Sequence, residues 1–125
     1  MKRAGFTMIE LIFVIVILGI LSAVALPKFI GVSNQAHDQK VNAFVGTLNR
    51  TVGPSMWAMD LANGNGGVVV GNECSNMLTY IDDVPAELTF NSATCEFDKN
   101  TTAGGRFDIN ITDGNATSAP TWSTS

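Results

Sequence analysis

A chain of 125 residues, 46% hydrophobic and 14% charged, can bury one modest core and leaves little for a second domain. Its net charge of -4, which loss of Lys2 and Arg3 would take to -6, leaves no electrostatic footprint for extended binding to nucleic acid. The composition is uneven: residues 6 to 30 are almost entirely apolar, while residues 98 to 125 are rich in Thr, Ser, Asn, Asp and Gly. The pattern is that of an anchor carrying a polar head.

From Phe6 to Leu26 the apolar run is 21 residues. At ~1.5 Å per residue a helix of that length is ~31 Å, about one bilayer hydrocarbon core. Lys2 and Arg3 precede it, so the positive-inside rule predicts a cytoplasmic N-terminus and an exported remainder. Ala23 and Ala25 form only a weak version of a conventional signal-peptidase site, and Pro27 follows them. Glu10 is the anomaly. A carboxylate near the middle of a lipid-exposed helix costs ~2.5 to 3.5 kcal/mol on insertion scales, less near an interface, and such residues are usually functional. The alternative is a side chain that snorkels to the cytoplasmic interface.

The string Lys2, Arg3, Ala4, Gly5, Phe6, Thr7, Met8, Ile9, Glu10, followed by an apolar run with Gly19 and Pro27, resembles the class III signal of type IV pilins and type II secretion pseudopilins. The resemblance covers about the first 30 residues, and Met8 stands where leucine is commoner. It implies that a prepilin peptidase reads Gly5, cuts after it and methylates the new terminus, Phe6. It also gives Glu10 a partner, the Phe6 amine of a neighbouring subunit in a staggered helical bundle, and it implies that Gly19 through Pro27 unwinds when the subunit leaves the bilayer. On periodicity alone Pro27 marks either a kink or a segment able to unwind.

Beyond the span, Val41, Val45, Leu48, Val52, Met56 and Met59 recur at steps of 4, 3, 4, 4 and 3, one apolar stripe that predicts a helix face packed on a sheet. Asp38, Asn42, Asn49 and Arg50 fall largely off it. Gly53-Pro54 is expected to kink this helix or to start a separate final turn, and the run Asn63 to Gly67 to stop it. Strands are expected at Gly67 to Val70, Met77 to Ile81, Ala86 to Phe90, Thr94 to Phe97 and Arg106 to Thr112. Past Asp113 the tail reads as polar and loosely held, with Trp122 as a docking residue.

Cys74 and Cys95 enclose 20 residues, which suits one disulfide in an oxidising compartment against the alternative of two free buried thiols. No enzyme emerges. His37, the single histidine, lies among Gln35, Asp38 and Gln39 and reads as a solvated surface residue; Gly64 to Gly67 lacks the Lys-Ser/Thr of a phosphate loop. No cofactor or metal is expected. Asp108, Asn110 and Asp113 form a weak calcium candidate whose loop spacing is broken by one residue. Three segments, centred on Asn100, Asn110 and Asn115, each follow the pattern Asp-x-Asn-x-Thr, which resembles the extended glycosylation acceptor of some bacterial oligosaccharyltransferases.

The expectation is therefore an α+β pilin fold, a long N-terminal helix packed in its second half on a small antiparallel sheet. Residues 1-5 would be a removed leader, 6-30 the membrane and filament-core helix, 31-62 an amphipathic helix and 63-125 a head with a disulfide loop. The expected function is that of a subunit stored in the inner membrane and then polymerised with its own copies into an extracellular pilus. Its partners would be the peptidase, inner-membrane assembly machinery and, before assembly, lipid. A periplasmic type II secretion pseudopilin and a membrane-anchored binding module that never polymerises are the alternatives.

Overall fold

The computed structural model describes residues 5–125, so Lys2, Arg3 and Ala4 of the signal string lie outside the described residues. The chain divides into two units, one ending at Gln35 and one running from Ala36 to Ser125. Helix α1, Met8–Thr47, begins in the first and ends in the second; a π-helical turn, Leu48–Val52, leads into α2, Gly53–Ala62. The four strands are β1 (Leu88–Asn91), β2 (Glu96–Lys99), β3 (Ile109–Thr112) and β4 (Thr121–Thr124), antiparallel in the order β1-β2-β3-β4. A long apolar helix with a small antiparallel sheet is an α+β, pilin-like fold.

Up to Val32 no large apolar side chain is buried: all of them from Phe6 onward are at least 47% exposed. Such a helix is long and apolar enough to cross a membrane. The unit from Ala36 onward has a core of its own. Val41, Phe44, Leu48, Val52 and Met56 of the helix meet Phe97, Ile109 and Trp122 of the sheet, with the Phe44 and Phe97 rings edge to face at 5.0 Å. Fully burying such a side chain contributes ~1.5 to 3 kcal/mol.

The stripe departs from expectation at its end, where Met59 is 46% exposed and Asp60 is wholly buried. Phe44, Leu48, Val52, Met56 and Asp60 recur at every fourth residue. At 3.6 residues per turn a step of four overshoots by ~40°, and the stripe would wind off the core. The wider π turn at Leu48–Val52 takes up the overshoot and keeps a four-residue step facing inward. Gly53-Pro54 then opens a separate final helix, as one of the two alternatives held. Gly53 is needed for contact: a Cβ there would stand 2.9 Å from both the Pro120 carbonyl and the Trp122 ring. The helix stops at Ala62, where Gly64, at φ +80, donates its N–H to the Leu61 carbonyl.

Two expected strands are absent. Gly67 to Val70 is a turn between glycines at φ +83 and +87, with the amides of Val69 and Val70 donated to the Asp113 carboxylate. Met77 to Ile81 falls largely in a 3-10 helix, Cys74–Tyr80. Cys74, Met77 and Tyr80 are spaced by three, the 3-10 repeat, and all three pack on the core. The expected strands at Ala86 to Phe90, Thr94 to Phe97 and Arg106 to Thr112 exist as β1, β2 and β3 with shifted ends. The loosely held tail is overturned: β4 pairs with β3, and Trp122 is buried.

Candidate functional site

The candidate processing and assembly residues Gly5, Phe6 and Glu10 lie at or just before the start of α1. Gly5 is exposed, and a Cβ on it would meet nothing within 4 Å, so the fold itself does not demand glycine there. Phe6 is 86% exposed. Thr7 caps the helix: its hydroxyl accepts the Glu10 N–H at 3.3 Å and its carbonyl accepts the Leu11 N–H at 3.1 Å. The string Thr7-Met-Ile-Glu10 has the S/T-x-x-E spacing of a capping box, a local signal for this helix start. A helix starting here places the Phe6 backbone nitrogen about one turn from Glu10, whose carboxylate makes no ion pair among the described residues. Gly19 faces open space, and α1 runs on through Pro27 without a break.

Polar contacts bind the second half of α1 to the head. The Glu87 side chain, just before β1, is only 2% exposed, and His37 Nδ1 meets its Oε1 at 2.5 Å, with Lys40 Nζ at 3.4 Å. The hydrogen bond from His37 holds the Glu87 carboxyl below its usual value of 4.5, helped by its own backbone N–H and by Lys40, against the upward push of burial. His37 is thus no solvated residue, and its ring is 32% exposed. Arg106 donates to Asp38 at 3.0 Å. Asn49, expected on the outward face, reaches β4 instead. No sequence motif marks these pairs, because the partners are 47 to 73 residues apart.

Cys74 and Cys95 are joined, with Cα atoms 5.3 Å apart, tying the 3-10 helix to the turn between β1 and β2. The calcium candidates are not brought together. Asp108 and Asp113 flank β3 and, at ~3.4 Å per residue, stand roughly 17 Å apart along the strand. The Lys99 backbone amide, and then its ammonium, hold the Asp108 carboxyl below its usual value. Asp113 accepts the amides of Val69, Val70 and Gly114. Asn110 is exposed within β3, Asn100 precedes the short 3-10 helix Thr101–Ala103, and Asn115 lies between β3 and β4.

Residues 1–26 match the family described as the prokaryotic N-terminal methylation motif. The type IV narrow pilus major component PilA5 of Thermus thermophilus is 51% identical over 43 residues, 34% of this chain. The match spans 37% of that relative's length, little more than a third. No solved structure matches the chain. In its N-terminal segment the chain is thus similar to type IV pilins, and the α+β fold behind that segment is pilin-like.

Proposed function

We propose that the chain is the structural subunit of a type IV pilus-like filament. It is made as a membrane-anchored precursor with its N-terminus in the cytoplasm, cleaved after Gly5, methylated at Phe6 and polymerised through α1. The observation that carries this reading is the contrast between the two units. The residues from Ala36 onward bury a complete core, while every large apolar side chain from Phe6 to Val32 is left for another surface. Lipid covers it first and the same helix of neighbouring copies covers it afterwards, so dispersion and exclusion of water hold the filament without catalysis by this chain. The relative named as a narrow pilus component favours a pilus over a secretion pseudopilus.

Glu10 supplies register in this scheme. Paired with the Phe6 amine of the next copy, its carboxylate offsets a desolvation cost that a misaligned neighbour would leave standing. The test is the fate of Gly5→Val. With open space around Gly5 the fold tolerates the side chain, so a block can arise only at the peptidase. The variant should accumulate at full length in the membrane, while the wild type appears in a sheared extracellular fraction beginning with N-methylated Phe6. Cleaved Gly5→Val, or wild-type protein confined to the envelope, would contradict the reading.

A further inference from the structure

Three Asp-x-Asn-x-Thr segments fall within residues 98 to 117, and the proposed role of α1 in assembly involves none of them. The fold treats their asparagines differently. Asn100 spends its side-chain nitrogen on the Ala86 carbonyl at 3.1 Å, and its backbone N–H and carbonyl bond to Glu87, Ala103 and Gly105. Asn110 is exposed, but its strand lies between β2 and β4 and pairs with Ser123, so lifting it into an enzyme would break both ladders.

Asn115 lies at the tip of the β3–β4 hairpin. It bridges to Ser118, with Ala116 and Thr117 as the two-residue turn, and all four residues are exposed. Its Oδ1 accepts the N–H of Thr117 at 2.9 Å, the hydroxyl of Thr117 at 2.9 Å and the N–H of Ser118 at 3.1 Å. Three donors on the oxygen fix which end of the amide is which. Nδ2 is left without a hydrogen bond among the described residues. The hairpin is held from below, where Trp57 Nε1 donates to the Asn115 carbonyl at 2.7 Å and Asp113 carries the amides of Val69 and Val70. Asp113, the acidic residue of this segment, is half-buried, and its Oδ2 accepts one bond, at 3.2 Å.

We infer that Asn115 is an N-glycosylation site, modified on the folded head by an oligosaccharyltransferase. The co-substrate class is an oligosaccharide carried on a polyprenyl diphosphate. Nδ2 bonds to the anomeric carbon, the bond from that carbon to the diphosphate oxygen breaks, the lipid diphosphate leaves with the electron pair, and the amide gives up one proton. The assignment rests on one part of the filament reading, export of the head.

The test is mass spectrometry of full-length chain from the envelope and sheared fractions of its own cells, with free thiols alkylated before digestion. The peptide carrying Asn115 should be heavier by an oligosaccharide in chains whose Cys74 and Cys95 are oxidised. Asn115→Gln and Thr117→Val should abolish the addition, and Thr117→Ser, which keeps the hydroxyl, should retain it. Oxidised chains with bare Asn115, or sugar on Asn100 or Asn110 in place of Asn115, would overturn the assignment. Free thiols on both cysteines with bare Asn115 would instead overturn export of the head, and the assignment with it.

Discussion

Asn49 holds the backbone of Trp122 with both ends of its amide: Nδ2 donates to the Trp122 carbonyl at 2.9 Å, and Oδ1 accepts the Trp122 N–H at 2.7 Å. β4 is an edge strand, and at this position the side chain does what a fifth strand would do. The same residue anchors the sheet through its ring, whose Nε1 donates to the Cys95 carbonyl at 2.9 Å. Asn49→Leu orphans two partly buried backbone groups, at ~1 to 3 kcal/mol for each group left unsatisfied. Denaturant unfolding should show that loss, and hydrogen exchange should show the Trp122 amide opening first.

The contact of His37 with Glu87 makes stability depend on acid. Glu87's folded value lies below its usual one, so its contribution is complete above about pH 4.5 and fades as the pH falls through the folded value. Glu87→Gln should flatten this part of the acid limb, and His37→Ala, which removes the largest cause of the depression, should shift it to higher pH. Melting temperatures between about pH 6 and about pH 3 check both signs.

The disulfide closes a loop of about 20 residues, worth ~3 kcal/mol in the chain-entropy account. Cys74→Ser should therefore lower head stability and filament yield while leaving cleavage after Gly5 unchanged. Unfolding of the head and N-terminal sequencing of the same preparation separate the two effects.

What could be read from the sequence was what depends on near neighbours. The apolar run, the stripe from Val41 to Met56 and the alternation of Ile109 and Ile111 with polar residues declare their elements because one period serves one face. The misread segments depend on distant partners. Val68-Val69-Val70 has strand composition, yet the flanking glycines and the Asp113 carboxylate turn it. The tail looked unheld because one buried tryptophan and one asparagine 73 residues earlier in the chain secure it. At the N-terminus the Glu10 anomaly was visible at once, since a carboxylate in an apolar run needs no partner to be noticed.

Asp60 continues the buried stripe, and neither carboxylate oxygen has a hydrogen-bond partner among the described residues. A buried polar group without a partner costs ~1 to 3 kcal/mol. Asp60→Leu, which extends the row of Phe44, Leu48, Val52 and Met56, should raise the melting temperature of the head. A fall in stability would show that the carboxylate has a partner in solution.

In the proposed filament, Glu10 sets the register of assembly. Glu10→Ala removes a charge from the span and should insert and be cleaved at least as well as the wild type. It should fail to assemble, because the incoming amine then stays buried and unpaired at a cost of ~3 to 5 kcal/mol. Glu10→Gln keeps the size and loses the charge. The decisive measurement is the ratio of sheared filament to membrane-held subunit for the wild type and both variants, in cells with no other copy of the chain. Near-absence of filaments for both variants, with processing intact, is the expected result; abundant Glu10→Gln filaments with unchanged subunit spacing would contradict it.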